Sequence, residues 1–130
     1  MKALDIDSQP CLIHTAGTPK AVLIQLTARH ERKTIDSELS LIEQGSQMGF
    51  VFVGIDLQQW ALSLMPWADE AVARDPEVGR HAIDTLDYVT RRLLPYIYNR
   101  YGQLPCILGG YSLGGLFSLW AASECPLFDA

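Results

Sequence analysis

This sequence predicts an α/β domain with a mainly parallel sheet flanked by helices. Three observations carry that reading. Short apolar runs recur at Cys11-Leu12-Ile13-His14, Ala21 to Leu26, Phe50 to Ile55 and Cys106 to Leu108. The longer runs are nearly continuous rather than alternating, as strands covered on both faces are. Between them, apolar residues recur at three- and four-residue spacing, the helical period. Strand and helix therefore alternate, the pattern of parallel strands joined by crossover helices.

Composition bounds the rest. The 130 residues are 48% hydrophobic and 19% charged, enough for one core in one domain spanning 1–130. Net charge is −5, the pI is about 5.0, and no Lys/Arg cluster appears. That argues against nucleic acid as a partner. Met1 to Pro10 is polar and acidic, without the apolar centre of a signal peptide. The apolar stretch from Pro105 to Ala122 is interrupted by glycines and serines, so it reads as strand plus helix, not a membrane span. Cys11, Cys106 and Cys125 are odd in number and far apart. They suit reduced thiols of a cytoplasmic protein better than a disulfide framework or a zinc site. No ligand pattern for a metal and no glycine-rich nucleotide loop is present, so no cofactor is expected.

Taken in order, Cys11 to His14 is the first strand and Thr15 to Lys20 a turn around Gly17 and Pro19. Ala21 to Leu26 is a buried strand, followed by the polar loop Thr27 to Lys33. A helix from about Ile35 to Gly45 puts Ile35, Leu39 and Ile42 on one face. Phe50 to Ile55 is the next strand, ending at Asp56. Leu57 to Asp75 is irregular and carries Trp60 and Trp67; it reads either as a lid over a pocket or as a loop packed on the core. A long helix from about Gly79 to Tyr101 buries Ile83, Leu86, Val89, Leu93 and Ile97, with a kink at Pro95 and a stop at Gly102.

The most informative stretch is Gly109-Gly110-Tyr111-Ser112-Leu113-Gly114-Gly115. It contains G-x-S-x-G between the Cys106–Leu108 strand and a helix from Leu113 to Glu124. In that setting the pattern describes a nucleophile elbow: a serine on a sharp, strained turn with its hydroxyl above the sheet. Glycines two residues either side avoid a collision between strand and helix. The helix N-terminus behind the serine favours developing negative charge. The N–H of Leu113 would be one oxyanion donor.

These residues resemble the α/β-hydrolase superfamily, in its esterase branch. The resembling stretches are VLIQLTARHE, GFVFVGIDLQQW, SLMPWADEAV, RRLLPYIYNRYG and ILGGYSLGGLFSLWAA. The resemblance implies a serine hydrolase acting on a small-molecule or acyl ester, either a carboxylic ester or a thioester. Ser112 matches its nucleophile, and a second oxyanion N–H is implied near Thr27. In this family the acid and the histidine follow the elbow by many residues, whereas the sequence ends at Ala130. The resemblance therefore implies an N-terminal portion, truncated after the elbow helix.

Other readings stay open. His30 and Asp56 lie in loops expected at the same rim, so a Ser112–His30–Asp56 triad would break the family's chain order but not the geometric definition of a triad. Trp60, Trp67 and Tyr111 are the expected rim or pocket residues. The rival function is a non-catalytic half-domain or interaction module. Because the family's next strand is expected just after Ala130, Cys106 to Leu108 is expected to be an exposed sheet edge, open to self-association.

Overall fold

The computed structural model describes residues 1–71 and 73–129; Val72 and Ala130 lie outside them. Six strands form one sheet: β1 (Lys2–Ile6), β2 (Gln9–Ala16), β3 (Pro19–Ala28), β4 (Gly49–Leu57), β5 (Cys106–Gly110) and β6 (Phe128–Asp129). Their order is β1-β2-β4-β3-β5-β6. The β3/β4, β3/β5 and β5/β6 ladders are parallel; β1/β2 and β2/β4 are antiparallel. The sheet is thus mixed, with its parallel part around β3.

The antiparallel hairpin begins in the segment that reads as merely polar. Asp7 and Ser8 join β1 to β2 with φ of 52° and 69°. Two successive positive φ values are what a two-residue loop needs to match strand twist. Asp7-Ser8 lacks the glycine that usually announces such a turn, so β1 is hidden in the sequence. Ile6 is buried, and Tyr88 Oη donates to its carbonyl at 2.9 Å, tying the hairpin to a helix.

The helices lie on both faces: α1 (Arg32–Gly45), α2 (Trp60–Leu64), α3 (Ala82–Tyr88), α4 (Leu94–Tyr101) and α5 (Leu113–Glu124). On one face α1 brings Ile35 and Leu39 onto Leu12, Phe50 and Phe52. On the other, α3, α4, the turn Val89–Leu93 between them and α5 bury Leu86, Val89, Leu93, Ile97, Phe117 and Ala121 against Val22, Ile24, Val53, Ile55 and Leu108.

The expected kink at Pro95 takes a specific form. Between α3 and α4, Val89–Leu93 is a π-helical turn, in which the Leu94 N–H reaches back to Val89 O. Proline cannot donate to the carbonyl four residues earlier and its ring would strike it. The widened turn just before Pro95 absorbs that conflict without breaking the helix. Gly102, at φ 89°, ends α4.

Two expectations need correction. Ile83 is 57% exposed, and Ala82 at 1% takes its place in the buried stripe. The helix starts at Ala82, so its inward face runs through Ala82, Leu86, Val89 and Leu93, about 100° away from Ile83. The second concerns β5. It is not left open along its whole length, because β6 pairs with it in parallel, Cys106 opposite Phe128 and Ile107 opposite Asp129. The neighbouring strand begins at Phe128, before Ala130.

Candidate functional site

The site follows from the direction in which each strand hands over to its helix. From β3 the chain turns to α1 on one face; from β5 it turns to α5 on the other. Adjacent parallel strands whose connections diverge leave a crevice at their carboxyl ends, the topological switch point. Here those strands are β3 and β5, with Leu26 opposite Gly110. Two residues further along each strand stand Ala28 and Ser112.

Ser112 joins β5 to α5 with φ 57° and ψ −115°. A non-glycine residue seldom adopts that region, which costs about 1–3 kcal/mol and persists only when packing over-determines it. The packing is visible at the two flanking glycines. A Cβ on Gly110 would lie 2.8 Å from Gly114 Cα and C. A Cβ on Gly114 would lie 3.3 Å from the Trp60 ring and 3.4 Å from Leu26 O. Strand end and helix start thus touch backbone to backbone, and the serine between them takes the remaining path. The Gly114 N–H donates to Tyr111 O at 2.9 Å and the Leu116 N–H to Ser112 O at 3.1 Å. Leu113 supplies the first N–H of α5, a position without an intrahelical acceptor.

A cavity of about 480 Å³ opens beside this turn, lined by Gly110, Tyr111, His30, Glu31, Thr34 and Glu38 among others. Tyr111 is 72% exposed at its mouth. His30 and Tyr111 line this one cavity. Asp56 does not join them. It faces a separate cavity with Asp5, Cys11 and Arg32, and its Oδ2 stands 4.0 Å from Arg32 Nη1. β3 lies between β4, which carries Asp56, and β5.

Thr27 sits inside the β3 end, fully buried, its hydroxyl donating to Ile55 O at 2.9 Å. The backbone on either side differs in direction. Val22 N–H donates to Pro105 O at 2.8 Å, so it faces the β5 edge of β3. Successive strand N–H groups point to opposite edges, so that of Ala28, six residues on, faces the same way and that of Thr27 faces β4. Beyond the end of β5 the Ala28 N–H meets no strand of the described residues. It donates to Glu31 Oε2 at 2.5 Å.

The remaining candidates lie elsewhere. Trp60 packs its ring on Gly114 and the core, and so props the turn rather than covering it. Trp67 is half exposed and outside the elbow cavity's lining. His14 Nε2 contacts Glu43 Oε1 at 2.5 Å. His81 lies between Glu77 and Asp84, 2.9 Å from each, and their hydrogen bonds raise its pKa, that with Asp84 most. Cys106 is buried, and burial pushes its thiol up to about 12, which suppresses the reactive thiolate. Among the described residues no group of histidines, cysteines and carboxylates could hold a metal ion. No helix there is long and apolar enough to cross a membrane.

Reading the sequence missed Ala28 and Glu31. Neither carries a motif; the β3/β5 register puts the Ala28 amide two residues past the Leu26–Gly110 pair, and Glu31 reaches that amide through its side chain.

No family model and no curated protein sequence matches the chain. Solved structures do. An IroE-like serine hydrolase from Shewanella oneidensis superposes with a TM-score of 0.77 at 19% identity, over 98% of this chain and 48% of that one. An enterochelin esterase from Shigella flexneri superposes with a TM-score of 0.67 at 19% identity, over 97% of this chain and 33% of that one. The chain thus spans half or less of the length of either structure. In its fold, this chain is like the α/β-hydrolase-type esterases.

Proposed function

We propose that the chain carries the nucleophile and oxyanion-binding part of a serine hydrolase that cleaves carboxylic esters or thioesters through an acyl-enzyme on Ser112. The single observation that carries this reading is the backbone of Ser112, φ 57° and ψ −115°, held between β5 and α5 at the switch point. Strain of that kind at a serine, with no glycine to relieve it, suits a side chain that must project from the sheet. The Ser112 hydroxyl attacks the acyl carbonyl and loses its proton to a base. The oxyanion then sits on the Leu113 N–H and the Ala28 N–H; its collapse breaks the ester or thioester bond and expels the alcohol or thiol, which takes the proton from the base, and water later releases the acyl group as the acid. Ala28 takes the role expected near Thr27, because its amide and not that of Thr27 faces β5. One neighbour is by name an esterase, which accords with an ester substrate.

A fluorophosphonate probe tests the nucleophile. Wild type should be labelled at Ser112, and Ser112→Ala should not; equal labelling of the two would remove the elbow from the mechanism.

The non-catalytic reading keeps one observation in its favour. Among the described residues, His30 and Asp56 line different cavities, while His14 and His81 pair with carboxylates away from Ser112. An elbow without its proton relay keeps only a small part of full activity. These 130 residues alone should therefore show little or no burst with an activated ester. A robust burst that disappears in His30→Ala would show His30 acting as the base.

A further inference from the structure

We propose that Glu31 is the resident occupant of the oxyanion position, a carboxylate that holds the Ala28 amide until a substrate oxygen displaces it. Its catalytic meaning rests on the Ser112 reading above, but the contact itself does not. Glu31 directly precedes α1, where an acidic side chain would ordinarily turn forward to the first N–H groups of its own helix. It makes no bond to the N–H groups of α1. The chain first turns through Arg29–Glu31, and the carboxylate reaches back at 2.5 Å to the N–H of Ala28, the residue before that turn, as the glutamate of a capping box does. Thr34 Oγ1 donates to Glu31 O at 2.9 Å, which fixes the turn from behind.

The place reached is the relevant one. Thr27 and Ala28 carry β3 past the end of β5, and of their two amides that of Ala28 faces the gap where α5 begins. The Leu26 carbonyl already lies against Gly114 there. Glu31 also lines the cavity that Gly110 and Tyr111 line. A negatively charged acceptor on this amide mimics the charge that develops on an ester oxygen. It keeps the donor aimed and desolvated, and it opposes any second anion at the same point. Its removal should therefore open an anion site shared by two backbone amides that are distant in sequence, Ala28 and Leu113.

The probe is acetate, titrated into the ¹⁵N-labelled chain at pH 7. In Glu31→Ala, acetate should shift the Ala28 and Leu113 amide resonances together along one saturation curve. Wild type should bind it about ten- to a hundredfold more weakly, the worth of displacing a hydrogen bond to a charged group. Glu31→Gln keeps an acceptor oxygen without the charge and should fall between, which also serves if the alanine variant folds poorly. Equal acetate affinity in wild type and Glu31→Gln, or a response at Ala28 without Leu113, would overturn the proposal. This readout needs no reactive serine. Loss of fluorophosphonate labelling with the acetate behaviour intact would instead sink the Ser112 reading alone.

Discussion

The two faces of the sheet are built to different standards. The face under α3, α4 and α5 is continuous from Ile6 across to Phe128, with Val22, Val53, Leu93, Ile97 and Phe117 fully shielded. The face under α1 is covered only in its middle, where Ile35 and Leu39 meet Phe50, Phe52 and Leu12. At its β5 end nothing comparable arrives from the described residues. Ile107 pairs with Leu23 on that face and is 40% exposed. The Ser112 turn stands on the border between them. Its helix is packed on the covered face, and its cavity opens on the other, between α1 and the end of β5. The uneven coverage gives the strained turn a rigid back and leaves the cavity beside it open.

The largest effect that separates the faces is a core truncation. Phe117→Ala should destabilise the protein by about 3–5 kcal/mol, the range for a fully buried aromatic. Ile107→Ala, on the open face, should stay within about 0.5 kcal/mol, as surface changes do. Urea unfolding of both variants makes the comparison. Similar losses would mean that the β5 end of the open face is covered after all.

A smaller contrast concerns the border. Gly110→Ala places a Cβ 2.8 Å from the Gly114 backbone, which cannot rotate away, and should cost about 1–3 kcal/mol. It should also abolish any labelling of Ser112. Gly109→Ala meets nothing within 4 Å and should leave both stability and labelling near wild type. Retained labelling in Gly110→Ala would mean that the turn does not depend on backbone contact.

The smallest expected effect lies at the rim of the well-packed face, where α3 begins. His81 bridges Asp84 and Glu77, and those hydrogen bonds raise its pKa above the ordinary 6.5. A raised pKa means that the folded state binds the proton more tightly than the unfolded one. The contribution is complete below pH 6.5 and fades as pH rises through the folded value. His81→Gln should therefore lower the melting temperature slightly at pH 5.5 and hardly at all at pH 8.5. A larger loss at pH 8.5 than at 5.5 would reverse the sign and remove the bridge from the account. Exposure keeps the effect small, since solvent screens such pairs.

Much of this molecule is legible from local pattern. The strands at Ala21, Phe50 and Cys106 and the helix from Leu113 follow from continuous apolar runs and helical spacing, and the spacing of Gly110, Ser112 and Gly114 marks the turn. These are contacts between residues near in sequence, so the sequence determines them. The kink at Pro95 and the stop at Gly102 belong to the same class. Tertiary structure decided what depends on partners far along the chain. The β1 hairpin exists because Ile6 finds a core and Tyr88 binds its carbonyl; nothing in Asp7-Ser8 announces it. Phe128 pairs with β5 in only two residues, too short a segment to carry a period. Asp56 and His30 look alike as polar residues at strand ends, yet the strand order puts β3 between Asp56 and Ser112. Which of the Thr27 and Ala28 amides points toward β5 is decided by the edge of β3 that each faces. That direction is a property of register, and register exists only once two strands have met.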